Sequence, residues 1–384
     1  MSDLHITKKD HFGWIDILRG LASFGVVLFH SRVDLWVGWQ AIQQHPEKFS
    51  VADKIVAWLS IPTPFLGSTV MLFFVISGFC IHYPSALSST LPLRHYFIRR
   101  MARILPPYWA AVCVSLLSEW VCHIFFQQET SPGQTIGKTF LMLQNYPPQP
   151  GQLISNPSLW SLPVEVELYI VYPFLFFLSH KIGIRYSLAL IAFISLVALG
   201  LSIFVAPWME ADFLKYWIIW CAGVALAQLV RTDQLPAWKV VYWGPMLLIL
   251  GIALWMEMKK ILLPVGHFVW ATIYFFLLWF CLTRTAPRLL LPKVIYDSLV
   301  WLGKISYSLY LIHFPLFRLL GAFWVDKMGS KPTNFLICLF SSCIALVVAA
   351  IFYRLIEFPA HQLARRWGRK PTTNENSLIT SYRQ

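Results

Sequence analysis

Arg19 and His30 stand eleven residues apart in the first apolar run of the chain, GWIDILRGLASFGVVLFHS. On an α-helix eleven steps come within about 20° of three full turns, so both side chains share one stripe, about 16 Å apart along the axis. Ionisable groups inside an apolar helix are costly and tend to face a polar cavity. That separation is too long for a direct hydrogen bond. It suits a long substrate held by a charged head at Arg19 and reacting at His30. A snorkelling arginine beside a packed histidine would leave the same residues without chemistry.

Three further stretches carry polar groups where a membrane helix would begin. FIRRMARILPPYW holds Arg99, Arg100 and Arg103, with Arg99 and Arg103 four apart on one face. Guanidinium forks bind phosphate bidentately, although basic residues at a helix mouth also anchor topology. SLWSLPVEVELYIVYP offers Ser161 as a helix cap, Glu165 and Tyr169 on one face, and Glu167 as an interfacial carboxylate. LGKISYSLYLIHFPLF carries Ser306, Tyr307, Tyr310 and His313, which could line a cavity or glue helices together. Of these, His313 reads as structural. Glu357, next to Pro359, reads as a local partner of Arg354.

These groups need elements to hold them. With 57% hydrophobic residues, 13% charged and a mean hydropathy of +0.60, the 384-residue chain has too little charge to cover a globular surface. The reading is all-α: a polytopic integral membrane protein of about ten transmembrane helices. They fall near 13–32, 65–84, 104–126, 160–179, 186–206, 213–230, 240–257, 266–283, 304–324 and 335–357. Lys and Arg number 19 in alternate connections and both ends against 9 in the others, which favours N-in and C-in. The expected organisation is a cytoplasmic N-terminal segment (1–12), a transmembrane domain (13–359) and a polar, disordered cytoplasmic tail (360–384). The net charge of +13 belongs to helix ends and anionic lipid, which argues against nucleic acid. Seven cysteines, without CxxC or metal spacing, read as small buried hydrophobes, and no metal is expected.

In order along the chain, the Arg19–His30 pair, FFVISGF (73–79), RRMARILPPYW (99–109), SLWSLPVEVELY (158–169), ISYSLYLIHFP (305–315) and the closing Glu357-x-Pro359 resemble the family 3 membrane acyltransferases. The resemblance covers residues 13 to 359. It implies an O-acyltransferase, most often an O-acetyltransferase, in the cytoplasmic (inner) membrane. Such an enzyme takes its acyl group from acetyl-CoA or another cytoplasmic acyl-CoA. Its acceptor is a sugar hydroxyl of an envelope polysaccharide, lipopolysaccharide or lipid-linked glycan. By the same resemblance His30 is catalytic with Arg19 as partner, Arg99, Arg100 and Arg103 meet the CoA phosphates, and Glu165 lies in the central cavity. Where many members carry an acidic residue before FFVISGF this chain has Met71, and the nearest acid after His30 is Asp34. Glu165 and Asp34 are therefore both candidates to orient His30, which would act as general base or transient acyl carrier. Tyr169, Ser306, Tyr307, Tyr310 and His313 complete the expected cavity. The competing reading is a proton-coupled transporter or flippase of a glycan or lipid, with His30 and Glu165 as relay groups.

Overall fold

In hydrocarbon every backbone N–H and C=O must find a partner inside the chain, and an apolar chain without barrel-forming alternation meets that demand with helices. The computed structural model describes residues 10–148 and 150–367. Among them there is no strand, and ten helical segments are long and apolar enough to cross a membrane. We number the helices α1 (Asp10–Leu35), α2 (Thr69–His82), α3 (Leu93–Phe126), α4 (Ser161–Ile182) and α5 (Ile184–Phe204). They continue as α6 (Phe213–Arg231), α7 (Trp243–Lys259), α8 (Leu263–Leu282), α9 (Lys293–Met328) and α10 (Leu336–Phe352). A widened turn at Tyr353–Glu357 leads from α10 into α11 (Phe358–Trp367). The start of the expected tail is thus helical; 368–384 and 1–9 lie outside the described residues.

Helices α3 and α9 each begin eleven residues before their expected spans, at Leu93 and Lys293 rather than 104 and 304. Charged residues end the apolar run but not the helix. The arginines of α3 are therefore fixed on a rigid element.

Small residues set how closely the helices approach. A Cβ on Gly223 of α6 would fall 1.8 Å from the Val75 carbonyl oxygen of α2, and one on Gly78 1.9 Å from that of Trp220. Likewise a Cβ on Gly303 of α9 would meet the Asp16 oxygen of α1 at 2.1 Å. Backbone touches backbone at both crossings, which only small residues permit.

Two of the four prolines inside the spanning helices, Pro173 and Pro315, each free a carbonyl that receives a donor from another element. Pro173 leaves the Tyr169 oxygen without its usual N–H, and the Tyr96 hydroxyl of α3 donates to it at 2.9 Å. Pro315 does the same at Leu311, which accepts from Asn156 Nδ2 at 2.9 Å. Asn156 lies at the end of the 127–156 loop, whose position is fixed by a buried carboxylate. Glu119 accepts from the backbone N–H groups of Ser131 (2.9 Å) and Ser155 (3.0 Å) and from both hydroxyls (2.7 and 3.0 Å).

The 33–62 connection is helical at Trp39–Gln44 and Val51–Ala57. Val51, Ile55, Trp58 and Leu59 are exposed at helical spacing while Ala57 and Ser60 are buried. That pattern suits a segment lying along the bundle with its apolar side outward.

Candidate functional site

The bundle forms a chamber of about 120 Å³, walled by α1, α2, α3, α4 and α9. Its α2 wall runs from Val70 to Ile81, eleven helical steps and so about 16 Å deep. One end is basic. Arg19 of α1 and Arg100 and Arg103 of α3 all line it, and none of the three makes an ion pair among the described residues. Helix α3 turns positions three apart inward, so Arg100 joins Arg103. Arg99 is exposed and is not part of the lining, unlike the four-apart pairing with Arg103 that the sequence suggests.

Higher in the chamber, Glu165 is the one carboxylate of the lining. Its Oε1 accepts from the Ser77 hydroxyl at 3.2 Å and from the Tyr169 hydroxyl. The Arg100 guanidinium sits 6.0 Å from the Tyr169 ring centroid. The Tyr307 hydroxyl donates to the Ile104 carbonyl at 3.1 Å. Ser306 Oγ is fully buried in the wall and has no partner among the described residues. At the far end Tyr310 donates to the Ser158 oxygen at 2.7 Å, which leaves its own oxygen to accept from Ser161 Oγ at 2.6 Å. The Ser161 hydroxyl thus ties α4 to α9 instead of capping α4.

His30 is not in the chamber wall. It lies beyond Tyr310, half-buried among Phe29, Phe314 and His313. Its Nδ1 is 2.9 Å from His313 Nε2, and His313 Nδ1 is 3.0 Å from the Leu309 carbonyl oxygen. A carbonyl can only accept, so His313 carries its proton on Nδ1 and presents a lone pair at Nε2. His30 must therefore donate from Nδ1. Its own lone pair is then on Nε2, which has no hydrogen-bond partner among the described residues. One carbonyl-anchored ring, His313, fixes the tautomer of the other, His30, with no carboxylate involved.

Neither carboxylate proposed for that duty from the sequence is bonded to His30. Asp34 pairs with Arg318 of α9 at 3.2 Å, and Glu165 is held by Ser77 and Tyr169. Glu357 likewise does not pair with Arg354. The widened turn swings it inward, where it accepts from the Ser308 N–H at 3.0 Å and from the Ser308 hydroxyl, with His361 at 3.5 Å. Arg354 is left exposed.

His313, Asn156, Glu119 and Arg318 carry positions that reasoning from sequence either left structural or passed over. The signal available for the first two was HFP: a proline two residues after a histidine frees a carbonyl within the same turn. All seven cysteines are free, and no cluster of His, Cys, Asp or Glu able to hold a metal occurs among the described residues.

Residues 12–354 match the family description "Acyltransferase domain". The O-acetyltransferase OatA of Staphylococcus aureus strain NCTC 8325 / PS 47 is 24% identical over 380 residues, 90% of this chain and 56% of the relative. OatA of strain MRSA252 gives the same figures. The chain therefore spans a little over half the length of these relatives. No solved structure matches it. The family match begins before Arg19 and ends beyond Arg318, so the chamber and the histidine pair both lie inside it, and the chain belongs to the family 3 acyltransferases.

Proposed function

We propose that this protein is an acyl-CoA-dependent O-acyltransferase, with acetyl-CoA as donor and a sugar hydroxyl of an envelope glycan as acceptor. The observation that carries the reading is the combination of three chamber arginines without ion pairs among the described residues and a histidine of fixed tautomer beyond the chamber's far end. The donor's phosphates sit against Arg19, Arg100 and Arg103, where guanidinium forks match phosphate geometry. The pantetheine arm follows the chamber wall past Tyr169, Ser306 and Tyr307 and brings the thioester towards Tyr310. With N-in and C-in topology, as the basic loops favour, the arginine end faces the cytoplasm and the histidine pair faces outward.

The acceptor hydroxyl donates to His30 Nε2. As its oxygen attacks the thioester carbonyl, Nε2 takes the proton and the carbonyl–sulfur bond breaks. The proton then passes from His30 to the departing thiolate, giving the acyl ester and free CoA. His313 and the Leu309 carbonyl keep the basic nitrogen pointed at the acceptor throughout. Glu165 orders the hydroxyls of Ser77 and Tyr169 in the middle of the chamber.

The test is CoA release from acetyl-CoA by the purified protein in lipid nanodiscs, with and without an envelope-glycan extract. Glycan-stimulated release that His30→Ala abolishes is expected. Normal release from His30→Ala would remove that residue from the chemistry. Absence of both acetyl-CoA binding and release would favour a transporter instead.

A further inference from the structure

We propose that Arg318 and Asp34 form the acceptor subsite of this enzyme and hold a neutral sugar hydroxyl next to the one that is acylated. The inference rests on the reading of His30 as the base.

His30 stands outside the donor chamber, and its Nε2 has no partner among the described residues, so the acceptor approaches it from another side. One helical turn further along α1 is Asp34, and one turn beyond Phe314 on α9 is Arg318. The two pair across the helices at 3.2 Å, a layer directly above the histidine pair. Gly321 allows the approach, since a Cβ there would meet Asp34 at 2.9 Å.

This ion pair is incomplete. Asp34 is only 8% exposed, yet its Oδ2 has no hydrogen-bond partner among the described residues. Arg318 spends one N–H on Asp34 Oδ1, and its side chain remains 28% exposed. A carboxylate oxygen without a donor, beside guanidinium N–H groups that meet no other acceptor among the described residues, is what a hydroxyl satisfies, because it both donates and accepts. An anionic group would meet the Arg318 fork but face the orphan Asp34 oxygen, so the complement is a neutral hydroxyl. The rise from His30 to Asp34 is about 6 Å, the scale of two neighbouring hydroxyls on one sugar ring with a hydrogen bond at each end. A vicinal diol therefore spans the two positions, one oxygen at His30 Nε2 and its neighbour at the Asp34–Arg318 pair.

Arg318→Lys preserves the ion pair but loses the planar fork. Asp34→Asn removes the charge with little change of shape. Both are assayed in nanodiscs beside wild type, with acetyl-CoA as donor, an envelope-glycan extract as acceptor, and either trans-cyclohexane-1,2-diol or cyclohexanol as competitor. In wild type the diol is expected to inhibit at a concentration at least about tenfold below that of the mono-alcohol. In Arg318→Lys half-saturation by the extract should rise about tenfold and the advantage of the diol should vanish, with the KM for acetyl-CoA unchanged within about twofold. Asp34→Asn should move in the same direction. Unchanged half-saturation in both variants overturns the subsite and leaves the acyltransferase reading standing, as does a parallel rise in the acetyl-CoA KM, which marks a structural pair. If wild type shows no His30-dependent transfer, both readings fall together.

Discussion

The tautomer lock on His30 can be tested by replacing the ring that accepts its proton. His313 and His30 stack with centroids 5.1 Å apart and planes 16° from parallel, so phenylalanine at 313 keeps the packing and removes only the acceptor. In His313→Phe the Nδ1–H of His30 is left without a partner, at a cost of about 1–3 kcal/mol. The ring can bear that cost, or it can move its proton to Nε2 and lose the base. In either case the reactive form is disfavoured by the same energy. At about 1.4 kcal/mol per tenfold, kcat falls about 5- to 140-fold while the acetyl-CoA KM, set in the chamber, stays put. His313→Gln offers a carbonyl oxygen that can accept from Nδ1, so its loss should stay within about fivefold. The assay is steady-state CoA release with saturating glycan extract, with melting temperature recorded for each variant. Two results would refute the lock: more than half of wild-type turnover in His313→Phe, or equal losses in Phe and Gln variants that melt normally.

Two further outcomes probe the frame that carries the site. Gly223→Val forces a Cβ into the Val75 carbonyl of α2 and should destabilise the protein by about 3 kcal/mol or more, measured as a lowered melting temperature in detergent. The control is Gly200→Ala in α5, where nothing lies within 4 Å of the added Cβ; it should be neutral or gain up to about 1 kcal/mol. Glu119→Gln turns one of the two acceptors of the loop knot into a donor facing a buried N–H, at about 1–3 kcal/mol. Amide exchange across 127–156 should accelerate in that variant and kcat should fall with it; unchanged exchange would show that the knot does not hold the loop.

Much of this architecture is legible in the sequence, for identifiable reasons. A helix in lipid must be long, apolar and internally bonded, so the ten spans stand out against a 13% charged background. Arg19 in an apolar run is conspicuous for the same reason, and the structure brings it together with Arg100, Arg103, Ser306, Tyr307 and Tyr310 around one chamber. What escapes is whatever depends on rotation and on distant partners. Arg99 and Arg100 differ by one step of about 100°, and only the packing of α3 decides which of them faces inward. The Leu311 carbonyl freed by Pro315 is predictable, but its donor, Asn156, lies 155 positions away. His313 in an apolar stretch looks like any packed histidine. Its role rests on a 2.9 Å approach to another helix that no local pattern encodes.

That approach has its own physical origin. A lock made of two histidines works only if α1 and α9 hold their rings at hydrogen-bond distance, and two side-chain-sized layers between the helices would prevent it. Gly303 lets α9 sit against the Asp16 carbonyl near the arginine end, and Gly321 lets it sit against Asp34 near the other. The histidine pair lies between these two points of backbone contact. Neither glycine has any chemistry of its own. Enlarging either one would part the helices first at its own end, so the two should fail differently: Gly303 by disturbing Arg19 and donor binding, Gly321 by opening the Asp34–Arg318 layer and the histidine pair beneath it. The site is thus specified as much by what is missing at two positions as by the polar residues that face each other between them.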